Sequence, residues 1–287
     1  MAELGAILTA MVTPFDADLR VDETATVALL EHLVAHGSDG VVACGTTGEA
    51  ATLTDEEHLR VVELAVQTLR GRGTVVAGVG SNDTRHAVEL TERATALGAD
   101  AMLHVTPYYN RPNRRGIVAH FEACAAATDK PIVLYNIPSR TGVDMPNELL
   151  AELAERIDNV VGVKQANNDN LAPIDGLQLY AGNDDVLCET LELGGVGGIC
   201  VASHVVGDEM RRMVDEPERR REIDAGLHDL YEALSVTTNP IGVKAALNLL
   251  GHRVGGLRLP MVEADERELG VIRAALERHG LLATAQA

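Results

Sequence analysis

Val160-Val-Gly-Val-Lys164 is a run of strand length that stays apolar or small until its last residue and then ends on a base. Continuous apolarity, rather than alternation, suits a strand covered on both faces, as strands of a parallel sheet are. The run 160–163 has seven companions: 6–11, 40–44, 75–79, 101–105, 132–135, 177–180 and 198–201. Helix-patterned stretches separate most of them. Val27, Leu30 and Val34 share one predicted face, and Gly37 is placed to end that helix. Thr54-Asp-Glu-Glu57 reads as a capping box, followed by a stripe of Leu59, Val62, Val66 and Leu69 and a stop at Gly71. Asn82-Asp-Thr84 opens the next helix, whereas the sixth connection, 167–175, is too short for a long one.

Eight strand–helix units in series predict an α/β fold, a (β/α)8 barrel (TIM barrel). No Gly-x-Gly-x-x-Gly follows the first strand, which argues against an open dinucleotide-binding sheet. Gly195-Val-Gly-Gly198 is the nearest look-alike, and a close strand approach explains it without a ligand. Past the eighth unit the pattern is helical only. Ile223, Leu227, Leu230 and Leu234 form one stripe; Asn239-Pro240 starts a helix with Asn as cap; Leu269, Ile272 and Leu276 form the last stripe, closed by Gly280. The division expected is a catalytic barrel over 1–217 and a C-terminal helical appendage over 218–287.

The net charge of −19 over 287 residues works against nucleic acid and anionic membranes as partners. No stretch approaches the roughly 18 apolar residues of a membrane span. The N-terminal MAELGAILTAMVTPFD has no basic leader before its apolar run, so a cytoplasmic protein is expected. Cys44, Cys124, Cys188 and Cys200 are scattered and read as buried thiols of a reducing compartment. His32 and His36 are four apart but lack the intervening Glu of a metalloprotease helix, and no metal site is expected.

Lysine is scarce: of 24 basic residues only Lys130, Lys164 and Lys244 are lysines. Lys130 precedes the fifth strand, at the end of a barrel that carries no chemistry, and Lys244 reads as a surface or helix–helix contact. Lys164 closes a strand, and strand C-termini face the active site in such barrels. A free lysine, pKa about 10.4, is almost wholly ammonium at neutral pH, and apolar surroundings disfavour that form and yield an amine nucleophile. A strand-end lysine can equally reach out to a carboxylate. Aromatic placement favours chemistry. Of five tyrosines, Tyr108 and Tyr109 follow the fourth strand and Tyr135 closes the fifth, and phenols beside an imine can shuttle its protons. Thr46 and Thr47, in Cys44-Gly-Thr-Thr-Gly-Glu49, could hold a carboxylate with local N–H groups, or merely cap a helix. Arg140 is a planar cation able to take a carboxylate bidentately, or an ordinary surface charge. Asp184 and Asp185 read as helix caps, and His204 as a packing or capping histidine.

Gly45-Thr-Thr-Gly-Glu49, Val105-Thr-Pro-Tyr-Tyr-Asn-Arg-Pro112, Tyr135-Asn-Ile-Pro-Ser-Arg-Thr-Gly142, Gly162-Val-Lys164, Gly182-Asn-Asp-Asp185 and Asn239-Pro-Ile-Gly-Val-Lys244 together resemble the dihydrodipicolinate synthase (4-hydroxy-tetrahydrodipicolinate synthase) family, along nearly the whole chain. The resemblance implies that Lys164 forms a Schiff base with pyruvate and that Tyr135 passes protons beside it. It implies a relay through Thr46 and Tyr109, the latter reaching into a neighbouring subunit's site. Thr47 and the backbone of Ile199 would hold the pyruvate carboxylate, and Arg140 that of aspartate semialdehyde. The implied assembly is a homotetramer, a dimer of dimers, and the implied chemistry needs no metal or organic cofactor. Asn183 departs from the family's Gly-Asp-Asp. Ala50, Asp55 and His86 depart from the serine, histidine and glutamate of lysine-inhibited members, although His58, Asn82 and Tyr108 remain. Weak or absent feedback by lysine is expected. The alternatives are another pyruvate-dependent 2-keto-acid aldolase, dehydratase or N-acetylneuraminate lyase, and a non-enzymatic barrel that binds a 2-oxo acid.

Overall fold

Each apolar run of the sequence is a strand, and each strand pairs in parallel with the next. The computed structural model describes residues 4–283. In chain order it contains β1 (Ile7–Ala10), α1 (Glu23–Ala35), β2 (Gly40–Ala43), α2 (Asp55–Leu69), β3 (Thr74–Gly78), α3 (Thr84–Leu97), β4 (Ala101–Val105) and α4 (Arg114–Ala126). Then come β5 (Ile132–Asn136), α5 (Pro138–Thr141), α6 (Asn147–Arg156), β6 (Val160–Gln165), β7 (Gln178–Ala181), α7 (Leu187–Glu192), β8 (Gly197–Cys200) and α8 (Ser203–Asp215). Four more helices follow: α9 (Arg220–Ala225), α10 (His228–Leu234), α11 (Ile241–Leu249) and α12 (Glu266–Arg278). The strands close in the order β1 to β8, with Ile7 of β1 opposite Gly198 of β8. The sixth connection holds only a 3₁₀ turn, Asn168–Asn170, as its length required.

Period-two alternation divides the apolar side chains between two layers. Leu8, Val42, Val76, Leu103, Val133, Tyr135, Tyr180 and Ile199 fill the barrel interior. Their neighbours Val41, Val75, Met102, Leu134 and Val163 face outward against Leu29, Leu33, Val62, Leu69, Phe121 and Leu150 of the helices. Glycine is required where strands and turns meet most closely: a Cβ on Gly197 would lie 1.9 Å from the Ala6 carbonyl oxygen, so the glycines before and in β8 are structural. The predicted capping box at Thr54 and Glu57 is present, and Leu59, Val62, Val66 and Leu69 are buried.

Three local expectations are corrected. The face that α1 buries is Thr26, Leu29, Leu30 and Leu33, so Val27 and Val34 flank it. The stripe from Ile223 to Leu234 is buried as predicted, but two helices carry it, with the break at Gly226–Leu227. Asn239 does not cap α11: Pro240 occupies that position, and the Asn239 amide instead turns toward the barrel. The helices after the barrel pack through Ile223, Leu230, Ile272 and Leu276 onto Met210, Met213, Ala181 and Cys200. Among the described residues no helix is long and apolar enough to cross a membrane, and all four cysteines are free and buried.

Candidate active site

Lys164 and Tyr135 meet because their strands are in register. Tyr135 is the Cα partner of Lys164 on β5, and Tyr180 is its partner on β7. Inward alternation points both Tyr135 and Lys164 into the barrel, where each is 5% exposed. The Lys164 Nζ lies 4.3 Å from the centroid of the Tyr135 ring. Among the described residues no carboxylate or carbonyl oxygen hydrogen-bonds to it. The Asp184 carboxyl is near enough to feel its charge: burial raises that acid above the usual carboxylate range, opposed by two backbone N–H groups and by Lys164. Asp184 does not cap its own turn. It accepts the N–H groups of Val201 (2.8 Å) and Ala202 (2.9 Å), fixing the segment from β8 into α8.

The turn after β2 is held in an uncommon shape. Cys44 (φ +55°) and Glu49 (φ +54°) both sit in the left-handed region, where a non-glycine residue needs support from its surroundings. That support comes from far along the chain. The Asn239 Nδ2 donates to Thr47 Oγ1 at 3.0 Å. Lys244 Nζ donates to Glu49 Oε1 at 2.7 Å and to the Gly256 carbonyl at 2.6 Å, and stands 4.2 Å from the Phe15 ring centroid. The backbone N–H of Arg258 takes the other Glu49 oxygen at 3.1 Å, and its guanidinium pairs with Glu57 at 2.6 Å. Lys244 and Glu49 are 1% and 5% exposed. Burial lowers the Lys244 pKa, and Glu49 opposes that shift. Lys244 is therefore neither the surface residue nor the helix–helix contact predicted: it is buried against a turn and a loop carbonyl. Its signal was a single charge within Ile241-Gly-Val-Lys-Ala-Ala-Leu247, an otherwise apolar stretch.

A cavity of about 490 Å³ opens beside these groups, lined by Thr46, Glu49, Tyr108, Tyr135, Arg140 and Asn239 among others. Lys164, Thr47, Ile199 and Tyr109 do not line it. Thr47 (3% exposed) lies in the supported turn, and Ile199 (0%) lies in β8 within the interior layer of Tyr135. Arg140 is exposed at the rim, its guanidinium donating to the Asn239 carbonyl at 3.2 Å. Tyr109, in the left-handed region at φ +69°, is 89% exposed, so within one chain its phenol is apart from the rest. The same cavity reaches Asp55, His58 and His86, where the Asp55 carboxylate lies 2.9 Å from His86 Nε2. His204 is structural: its Nε2 accepts the Val12 N–H at 3.1 Å, and burial lowers its pKa to about 4.

This arrangement sets a buried lysine against a tyrosine ring, near a supported hydroxyl-bearing turn and a cavity with a cation at its rim. Residues 3–279 match the model of the Dihydrodipicolinate synthetase family. The chain is 42% identical over 285 residues to a 4-hydroxy-tetrahydrodipicolinate synthase of Thermoanaerobacter sp. (strain X514), covering 95% of this chain and 96% of that one. It is 44% identical over 291 residues to the enzyme of that name from Moorella thermoacetica, covering 97% and 99%. Among solved structures, the dihydrodipicolinate synthase of Cyanidioschyzon merolae with lysine bound superposes with a TM-score of 0.95 at 41% identity, covering 98% of this chain and all of that one. The chloride-inhibited enzyme of Acinetobacter baumannii complexed with pyruvate gives 0.94 at 36% identity, covering 97% of this chain and 100% of that one.

Proposed function

The chain belongs to the dihydrodipicolinate synthetase family, and from that membership and the free amine of Lys164 we propose that it is the lyase that condenses pyruvate with L-aspartate 4-semialdehyde to 4-hydroxy-tetrahydrodipicolinate, a step toward diaminopimelate and lysine. The observation that carries the mechanism is the buried Nζ of Lys164, set against Tyr135 and, among the described residues, held by no hydrogen bond.

Nζ adds to the C2 carbonyl of pyruvate, and loss of water leaves an imine. A C3 proton is then removed to give the enamine, whose carbon attacks the aldehyde of the second substrate. The amino group of that substrate next adds to the imine carbon, closing the ring and expelling the lysine amine. Tyr135 takes and returns the protons of the first steps, through Thr46 and through a Tyr109 supplied by a neighbouring subunit. The exposure of Tyr109 suits that last role and a homotetrameric assembly. Thr47 and the Ile199 backbone hold the pyruvate carboxylate, with Thr47 kept in place by Asn239. Arg140 receives the carboxylate of the semialdehyde at the rim. Because the imine is made with the substrate, these steps call for no metal or organic cofactor. The Asp55–His86 pair occupies positions where lysine-inhibited relatives carry other residues, which favours weak inhibition by lysine.

The test compares acceptors. Purified enzyme with pyruvate should turn over aspartate semialdehyde at least about 100-fold faster, by kcat/KM, than it condenses pyruvate with N-acetylmannosamine, a gap of roughly 3 kcal/mol in transition-state binding. The reverse preference would move the chain to the sialic acid lyase activity of its superfamily.

A further inference from the structure

We infer that His104, His120 and Cys124 form a binding site for a thiophilic d¹⁰ cation of the zinc(II) kind, between β4 and α4 and outside the barrel interior. One donor atom from each of the three residues lies within 4.8 Å of the other two. His104 and Cys124 are 0% exposed and His120 is 4% exposed. His120 and Cys124 stand four apart on α4, on one face of the helix. The His120 Nε2 is 3.7 Å from the Cys124 Sγ. Zinc holds imidazole nitrogen at about 2.0–2.1 Å and thiolate sulfur at about 2.3 Å, which at a tetrahedral angle sets the two donors about 3.5 Å apart. The helix therefore presents this pair close to its liganded spacing.

His104 supplies the second observation. Thr91 Oγ1 gives its proton to the Ala87 carbonyl at 2.6 Å, so in its 3.3 Å contact with His104 Nε2 it must accept. The ring is then protonated on Nε2, which faces α3, and its Nδ1 carries a bare lone pair. That Nδ1 is buried and, among the described residues, has no hydrogen-bond partner. An orphaned acceptor of this kind costs about 1–3 kcal/mol and calls for an ion or a water. Two imidazoles and a thiolate are a donor set that selects zinc or another soft cation over magnesium or calcium.

Loading breaks the Cys124 S–H bond; the proton leaves to solvent and the sulfur electron pair goes to the metal, while both imidazoles bind as neutral rings. Burial already holds the two rings neutral, lowering His104 to about 3 and His120 to about 4. Because the thiol must give up its proton to bind, affinity should rise with pH. A bound cation would fasten α4 to β4, the strand that leads into Tyr108 and Tyr109.

The test is titration of the chelator-stripped, full-length enzyme with Co²⁺, followed by Zn²⁺. A thiolate-to-cobalt charge-transfer band that saturates at one equivalent per chain, is displaced by Zn²⁺ and is lost in Cys124→Ser is expected, with a rise in Tm on metal addition in the unsubstituted enzyme. His120→Gln should weaken Co²⁺ binding at least about 10-fold. Absence of the band in the unsubstituted enzyme, or a band that survives Cys124→Ser in a folded variant and so belongs to another cysteine, overturns the site.

Discussion

Two lysines of this chain are buried to a similar depth and are treated in opposite ways. Lys244 has every need met: a carboxylate at 2.7 Å, a carbonyl at 2.6 Å and an aromatic ring at 4.2 Å. Lys164 has a ring at 4.3 Å and, among the described residues, no hydrogen bond. A buried, satisfied ammonium is a structural element, since removing one partner of such a pair strands the other charge. A buried lysine that no carboxylate or carbonyl engages has no such structural task, and it is the one proposed above as the nucleophile. The difference gives Lys244 a structural task and fits the role proposed for Lys164, and the two are linked, because the Lys244–Glu49 pair holds the turn that carries Thr46 and Thr47.

Exchanging each lysine for methionine should separate the two roles most sharply. Lys164→Met should lower kcat by roughly 10³-fold or more, the loss expected of a covalent nucleophile, while Tm stays level or rises because no partner is abandoned. A lowered Tm with near-normal kcat would reverse the assignment. Lys244→Met should cost about 3–5 kcal/mol of stability by leaving Glu49 buried and unpaired, read as a lower midpoint in urea denaturation. Below its melting temperature this variant should still form the pyruvate imine; a fully stable Lys244→Met would show that the pair is not needed to hold the turn.

Arg140→Ala should raise KM for aspartate semialdehyde by about 10- to 100-fold, the worth of a charge-assisted hydrogen bond, with imine formation unchanged. Normal KM in that variant would remove Arg140 from the site. Acid titration extends the comparison to other buried bases. Burial lowers His58 and His204 to about 4 and His104 to about 3, so the folded chain refuses protons that the unfolded chain accepts from about pH 6.5 downward. Stability should be full above pH 6.5 and fall toward pH 4, by roughly 1 kcal/mol per imidazole one pH unit below 6.5. Flat stability from pH 7 to 5 would contradict their neutral burial. The smallest effect is expected from L-lysine, which should leave turnover nearly unchanged at millimolar concentration. Half-inhibition in the micromolar range would show that the Asp55–His86 pair does not block that response.

The barrel was legible because parallel strands covered on both faces are continuous apolar runs, and all eight fall within a residue or two of their predicted ends. The Lys164–Tyr135 pair was legible for a related reason: each residue lies one short of its strand's end, and neighbouring strand ends meet in register. What lay hidden depended on contacts distant in sequence. Lys244 and Glu49 are 195 residues apart, and no local pattern relates a helix charge to a turn carboxylate. Asn239 looked like a helix cap because Asn-Pro usually is one, yet tertiary contact with Thr47 took its amide. His104 sits among the outward-facing residues of β4, where periodicity predicts an apolar side chain, and only the packing of α4 against β4 brings it to His120 and Cys124.

The most direct test of the account is sodium borohydride reduction in the presence of pyruvate, followed by peptide mass mapping. The account predicts one pyruvate-derived secondary amine per chain, on the peptide carrying Lys164, and none in Lys164→Met. A label on Lys244, on Lys130 or on the N-terminus, or no label at all, would contradict it.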